Sequence, residues 1–170
     1  MYGVIWCTNV AQNDTKTVDS KGWWGRVFTG ITYQSMDSKG RVILPQKFRE
    51  ELGDSFYVTN GFSDNYKFHC LQIMSTEQFA GLRKQIRELP AARALKLQYI
   101  LVAPATEVSP NSQGRVQIPQ ALREGAGFKK DLVVLGMDTR VEIWDKEAYE
   151  EFMKETMQES FAEALELLRI

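Results

Sequence analysis

The stretch Asp37-Ser-Lys-Gly-Arg-Val-Ile-Leu-Pro-Gln-Lys-Phe-Arg-Glu-Glu-Leu-Gly53 returns as Asn111-Ser-Gln-Gly-Arg-Val-Gln-Ile-Pro-Gln-Ala-Leu-Arg-Glu-Gly-Ala-Gly127, 74 residues further along the chain. Nine of the 17 paired positions are identical, among them Gly40 and Gly114, Arg41 and Arg115, Pro45 and Pro119, and Gly53 and Gly127. A repeat of that quality marks one supersecondary unit used twice. In each copy a strand-like run, Thr29 to Met36 or Ala105 to Ser109, enters a turn. There Asp37 or Asn111 bonds the backbone two residues on, and Gly40 or Gly114 supplies the positive φ of a bulged hairpin loop. A short strand follows, Arg41–Leu44 or Arg115–Ile118, and then a helix with proline at its first position. The helices are expected over Pro45–Leu52, closed by Gly53 in a left-handed cap, and over Pro119–Ala126. Strands at Ser55–Thr59 and Tyr66–Met74 complete the first copy, and strands at Asp131–Leu135 and Arg140–Trp144 the second. The fold class expected is α+β, with two tandem pseudo-symmetric ββαββ lobes.

Helices join and finish these lobes. Ser75 and Gln78 form a capping box ahead of Phe79, Leu82, Ile86 and Leu89, which share one helical face. Pro90 ends that helix, and Ala91 to Val102 supplies a second one, apolar enough to lie between the lobes. A long C-terminal helix starts after Asp145 as N-cap and carries Tyr149, Phe152, Met153, Met157, Phe161, Leu165 and Leu168 on one side. That stripe packs either on the chain's own body or on another subunit. Residues 1–26 have neither a basic leader nor a sustained apolar run and read as a loosely ordered arm, with Trp23 and Trp24 docking on the body or entering a partner. The organisation expected is thus an extension over 1–26, repeats over 27–74 and 105–145, linking helices over 75–104, and an acidic amphipathic helix over 146–170.

At 170 residues, with 44% hydrophobic and 25% charged side chains, the chain has the composition of an ordinary globular protein of one or two small domains. The net charge of −1 conceals an uneven distribution. Residues 142–170 hold nine acids against Lys146, Lys154 and Arg169, or −6, which leaves +5 on the remainder. An acidic tail on a basic body suits a nucleic-acid binder, although an acidic helix on a neutral enzyme gives the same sums. His69 is the one histidine, and Cys7 and Cys70 are the two cysteines. That supply leaves only carboxylate-rich mixtures for a zinc site and little for nucleophilic or acid–base catalysis. No apolar run of about 18 residues suggests a membrane span, and two irregularly spaced cysteines suit a reducing compartment. No enzyme, cofactor, metal or small-molecule substrate is expected.

The repeated loops are where charge concentrates. Asp37 to Arg49 holds Lys39, Arg41, Lys47 and Arg49 against one acid, and Asn111 to Arg123 holds Arg115 and Arg123 against none. Such loops can present cations and glycine N–H groups to phosphates, and Arg can reach the O6/N7 edge of guanine. A solvated hairpin with its arginine paired to a nearby carboxylate is the other reading.

The repeat Asp37…Arg41…Pro45 and Asn111…Arg115…Pro119, with Ala105-Thr-Glu107 before the second turn and Val141-Glu-Ile-Trp-Asp145 after it, resembles the MraZ family from about Val27 to the C-terminus. The resemblance implies swapped-hairpin, AbrB-like lobes that assemble into a closed ring. It further implies a cytoplasmic, nucleoid-associated DNA-binding regulator of the division and cell-wall gene cluster. Its partners would be double-stranded DNA, including its own promoter region, and further copies of itself. The family's Asp-x-x-x-Arg element falls on Asp37 and Arg41; Arg115 matches in the second copy, where Asn111 replaces the acid and Pro110 an apolar strand residue. Lys39, Gly40, Arg41, Gln113, Gly114 and Arg115 are then the expected DNA-binding residues. Asp37 and Asn111 shape the turns, and Lys47, Arg49 and Arg123 are secondary cations. An AbrB-like fold also serves as the antitoxin of a toxin pair, which would require a C-terminal segment that folds on the toxin. The regular stripe from Tyr149 to Leu168 argues against that use.

Overall fold

A computed structural model describes residues 27–61, 69–158 and 165–168. The first copy of the repeat forms β1 (Ile31–Ser35), β2 (Arg41–Ile43), α1 (Gln46–Leu52), β3 (Phe56–Asn60) and β4 (Leu71–Ser75). Then come α2 (Thr76–Glu88), α3 (Ala91–Leu97) and a π-helical turn, Gln98–Val102. The second copy forms β5 (Thr106–Val108), β6 (Arg115–Gln117), α4 (Gln120–Gly125), β7 (Asp131–Met137) and β8 (Arg140–Asp145), and the chain continues into α5 (Lys146–Gln158).

The two copies are interleaved. One antiparallel sheet has the order β1-β7-β8-β4-β3-β5, and β2 pairs with β6 in a separate ribbon. Each copy therefore lends its first strand to the other, β1 to β7 and β5 to β3. The order reads the same from either edge once the copies are exchanged. A pseudo-two-fold axis thus runs between β4 and β8, where Gln72 faces Glu142, and through the ribbon, where Val42 faces Val116. The turn after β1 closes as its residues require, but β1 and β2 form no ladder with each other, in contrast to the simple hairpin expected. Three-residue strands carry too little pattern to specify a partner, and burial decides the matter instead. Val42, Leu44, Val116 and Ile118 are fully buried against Phe48, Leu52, Phe56, Val58, Leu122, Leu132, Val134 and Ile143, on one face of the sheet.

The other face is covered by helices. α5 lays Tyr149, Phe152 and Met153 on Val133, Leu135 and Trp144, with the Phe152 ring stacked on Trp144 at 4.9 Å. Thus the first turns of the C-terminal apolar stripe pack on the chain's own body. The side chains of Met157 and Phe161 lie outside the described residues, and Leu165 and Leu168 are exposed. Over the first half, α2 stacks Phe79 on Tyr57 at 4.1 Å. α2 and the described part of α5 are counterparts, capped by Ser75 and Asp145, so the structural repeat extends one helix beyond the repeat visible in the sequence.

Several local expectations change. Pro45 and Pro119 stand at N-cap positions with ψ near +139° and +138°, so the helices begin at Gln46 and Gln120. Gly53 has φ +92° and ψ −168°, a glycine-only region outside the left-handed helical well. The strand expected from Tyr66 starts at Leu71; residues 62–68 lie outside those described, and His69 is exposed. Ala91–Val102 is helical throughout, α3 passing directly into the π turn, and lies on α2, with Ala94 and Leu101 against Ile86. Thr59 Oγ1 donates to the Leu101 carbonyl at 2.7 Å and Asn60 Nδ2 to that of Ile100 at 2.8 Å, holding the π turn to the end of β3. Trp23, Trp24 and Cys7 lie outside the described residues. No helix among the described residues is long and apolar enough to cross a membrane.

Candidate nucleic-acid interface

The two repeated turns have the same hydrogen bonds. Asp37 Oδ1 accepts from the amides of Lys39 and Arg41, both at 3.0 Å, and Asn111 Oδ1 accepts from those of Gln113 and Arg115 at 3.0 and 2.9 Å. A side-chain oxygen is all this turn needs, so Asn replaces Asp without change of shape. The Gly40 amide donates to the Asp37 carbonyl and the Gly114 amide to that of Asn111, both at 2.9 Å. Those amides, expected to face phosphates, are therefore used inside the turns. What the glycines contribute is φ of +76° and +75°, and room for a neighbour.

That neighbour is an arginine from the opposite copy. A Cβ at Gly40 would collide with the Arg123 guanidinium, and one at Gly114 with that of Arg49. Each arginine is fixed by its own copy, Arg49 Nε donating to the Leu44 carbonyl at 3.1 Å and Arg123 Nε to that of Ile118 at 3.0 Å. The turn carbonyls complete the lock. Leu44 N donates to Gly114 O at 3.2 Å, Ile118 N to Gly40 O at 3.1 Å, and Gln117 Nε2 to Lys39 O at 2.6 Å. The two loops are thus pinned side by side at the pseudo-axis as one surface, with Arg49 and Arg123 as its clamps.

The ribbon continues that surface. Strand alternation buries Val42 and Val116 and turns Arg41, Ile43, Arg115 and Gln117 to the opposite side. Across the ribbon Arg41 faces Gln117 and Ile43 faces Arg115. Lys39 and Gln113 are exposed at the loop tips. Gln117 and Ile43 were not among the residues singled out in the sequence, because their place on the surface depends on β2 pairing with β6, which no local pattern announces. Lys47 lies apart, its ammonium donating to the Thr29 carbonyl at 2.6 Å and resting over the Phe48 ring.

The loops differ in charge. Arg41 is held by Asp37 through Nε and Nη2, both at 2.8 Å, while Arg115 approaches the same carboxylate only to 3.8 Å. The Arg41 amide above all, then its guanidinium and the Lys39 amide, hold the Asp37 carboxyl below its ordinary value against a smaller opposing effect of burial. Asp37 is therefore ionised at neutral pH and offsets one positive charge of the surface, from the first loop only.

The described residues contain no cluster of three or more His, Cys, Asp or Glu placed to hold a metal. Burial, and then the charge of Glu142, push the Cys70 thiol up to about 12, so it is protonated and unreactive at neutral pH. Glu142 is buried but accepts from Arg140 Nε at 2.9 Å and Trp144 Nε1 at 3.0 Å, a closed structural network.

Comparison with known proteins agrees with this architecture. The family model described as "MraZ protein, putative antitoxin-like" matches twice, over residues 27–97 and 101–168. A protein of Acetivibrio thermocellus named "Transcriptional regulator MraZ" is 43% identical over 148 residues, covering 85% of this chain and 100% of the relative. Proteins of the same name from Caldanaerobacter subterraneus subsp. tengcongensis and Paenarthrobacter aurescens are 43% and 40% identical, covering 79% and 76% of this chain and 91% and 88% of theirs.

Proposed function

The chain belongs to the MraZ family, and from that premise we propose that it is a transcriptional regulator that binds double-stranded DNA sequence-specifically as a ring-shaped homo-oligomer. Its targets are direct repeats in its own promoter region, upstream of the division and cell-wall gene cluster, which places it in the cytoplasm at the nucleoid. The relatives carry the name of a regulator and not of an enzyme.

The observation that carries this reading is the pair of interlocked loops with the β2–β6 ribbon between them. A major groove about 12 Å wide admits a two-stranded ribbon. Arg41 and Arg115 suit guanine O6/N7, Gln117 and Gln113 suit adenine, and Lys39 suits phosphate. Pseudo-symmetry is broken on the outward side, where Ile43 occupies the position equivalent to Gln117 and Asp37 that equivalent to Asn111. One protomer therefore reads a directional site, which favours direct repeats over a palindrome. A single protomer makes few contacts and would bind with a Kd of about 10⁻⁴–10⁻⁶ M. Several protomers in a ring add avidity of roughly 10²–10⁴ without new contacts.

A mobility shift on the protein's own upstream DNA tests the reading. Arg41→Ala with Arg115→Ala abolishes specific retardation while oligomer mass stays unchanged; wild-type retardation by that variant in physiological salt would refute it. The antitoxin alternative is disfavoured by α5, whose Tyr149, Phe152 and Met153 are already committed to the chain's own sheet. Co-purification of a stoichiometric toxin would reverse that judgement.

A further inference from the structure

Ile43 is the residue of the β2–β6 surface that hydrogen bonding does not account for. Among the described residues it is the one large apolar side chain of the ribbon strands that stands exposed, at 42%, while Val42 and Val116 are fully buried. Its same-face neighbours are Arg115 directly across the ribbon and, one place along, Arg41 and Gln117. Those three carry donors for base edges or phosphates, and the side chain of Ile43 has neither donor nor acceptor. The strand itself does not require an apolar residue here, because Gln117 fills the equivalent place of β6 with the same pairing.

The two equivalent residues are also engaged differently. Gln117 Nε2 donates to the Lys39 carbonyl of the first loop at 2.6 Å. Ile43 offers no donor to Gln113, the residue of the second loop equivalent to Lys39, and it joins no buried cluster among the described residues. Gln117 thus helps to hold a loop, whereas the exposed face of Ile43 points to a contact outside the chain.

A major groove displays one apolar group among its donors and acceptors, the 5-methyl of thymine, and an apolar side chain brought there is matched by that group. Residues directly opposite in an antiparallel pair lie about 4.5–5.5 Å apart and successive base pairs about 3.4 Å. Ile43 and Arg115 therefore reach adjoining base pairs. We propose that Ile43 is a specificity-determining residue, covering the 5-methyl group of a thymine in the base pair next to the guanine read by Arg115. The equivalent place beside Arg41 is Gln117, so the methyl contact occurs once in each protomer and fixes the direction of the site. The assignment rests on the reading of the ribbon as the DNA surface.

Deoxyuridine in place of thymidine removes the methyl group and keeps the base pair. Fluorescence anisotropy on the protein's own upstream duplex, with each thymine of one repeat exchanged in turn, tests the contact, and thermal melts show that each variant is folded. The wild-type chain loses about fourfold in affinity at one position beside a guanine, roughly the worth of one buried carbon. Ile43→Ala binds the all-thymine duplex more weakly and loses nothing further at that position, while Ile43→Val retains the loss. A wild-type chain that prefers the cognate over a scrambled duplex but is indifferent to every exchange would overturn the methyl contact and leave the DNA reading intact. The same holds for an exchange that costs Ile43→Ala as much as wild type, or for a sensitive position with no guanine beside it. A wild-type chain without preference for the cognate duplex would overturn the DNA reading, and this proposal with it.

Discussion

Asp37 and Asn111 show how one atom in a repeated turn alters the electrostatics without altering the shape. Both accept two backbone amides through Oδ1, but only Asp37 holds Arg41 and draws Arg115 to 3.8 Å. Asp37→Asn should keep both loops and release two guanidinium groups, steepening the log-affinity against log-salt slope by about 0.9 for each additional phosphate neutralised. Its carboxyl is held below the usual range in the folded chain, so ionised Asp37 adds stability above its unfolded pKa of about 3.9. That contribution is lost as pH falls through the lower folded value, and acid titration of the melting temperature should show a loss in wild type that Asp37→Asn lacks. The sequence alone counts two cations in the first loop and one in the second. With Arg41 engaged, the freer cations are Lys39 and Arg115, one to each loop. Lys39→Gln should flatten the salt slope by about 0.9 with sequence preference kept, whereas Gln113→Ala should leave the slope and relax preference at one base position. Titrations on cognate and scrambled duplexes measure both, and a flattened slope for Gln113→Ala would reverse these roles.

The features legible in the sequence are those whose partners lie within one turn of the chain. The Ser75–Gln78 box is one, with Gln78 N donating to Ser75 Oγ at 3.2 Å and Ser75 N to Gln78 Oε1 at 2.8 Å. Ser75→Ala should cost about 1 kcal/mol, within the 0.5–2 kcal/mol range of such caps, read as a lower urea midpoint with unchanged DNA affinity. Asp145 is another, accepting from Glu147 N and also from Lys129 N at 3.0 Å. The Asx turns are a third. Strand pairing was not legible, because β2 and β6 have three residues each and their partner lies 74 positions away. The equivalence of α2 and α5 escaped for a different reason. Their packing partners differ, Tyr57 against Phe79 in one half and Trp144 against Phe152 in the other, so structure is repeated where sequence is not.

Interleaving makes the proposed DNA surface a property of both copies at once, since each loop is clamped by an arginine from the opposite half. The roles of Arg49 and Arg123 were hidden for that reason: as charges they resemble the other loop cations, and their position over Gly114 and Gly40 follows only from the swap. The family match starts at residue 27, outside the N-terminal stretch. Deletion of residues 1–26 should therefore preserve assembly and DNA binding, as checked by light scattering and mobility shift, and loss of either would assign Trp23 and Trp24 a role. The central claim is that the ribbon and its paired loops read DNA, and binding of the Arg41→Ala, Arg115→Ala chain to its own upstream duplex by fluorescence anisotropy across a salt series tests it most directly. The double variant should lose its preference for the cognate over a scrambled duplex and show a flatter salt slope, with oligomer mass and melting temperature nearly those of wild type. Wild-type affinity and wild-type preference in physiological salt would contradict the claim.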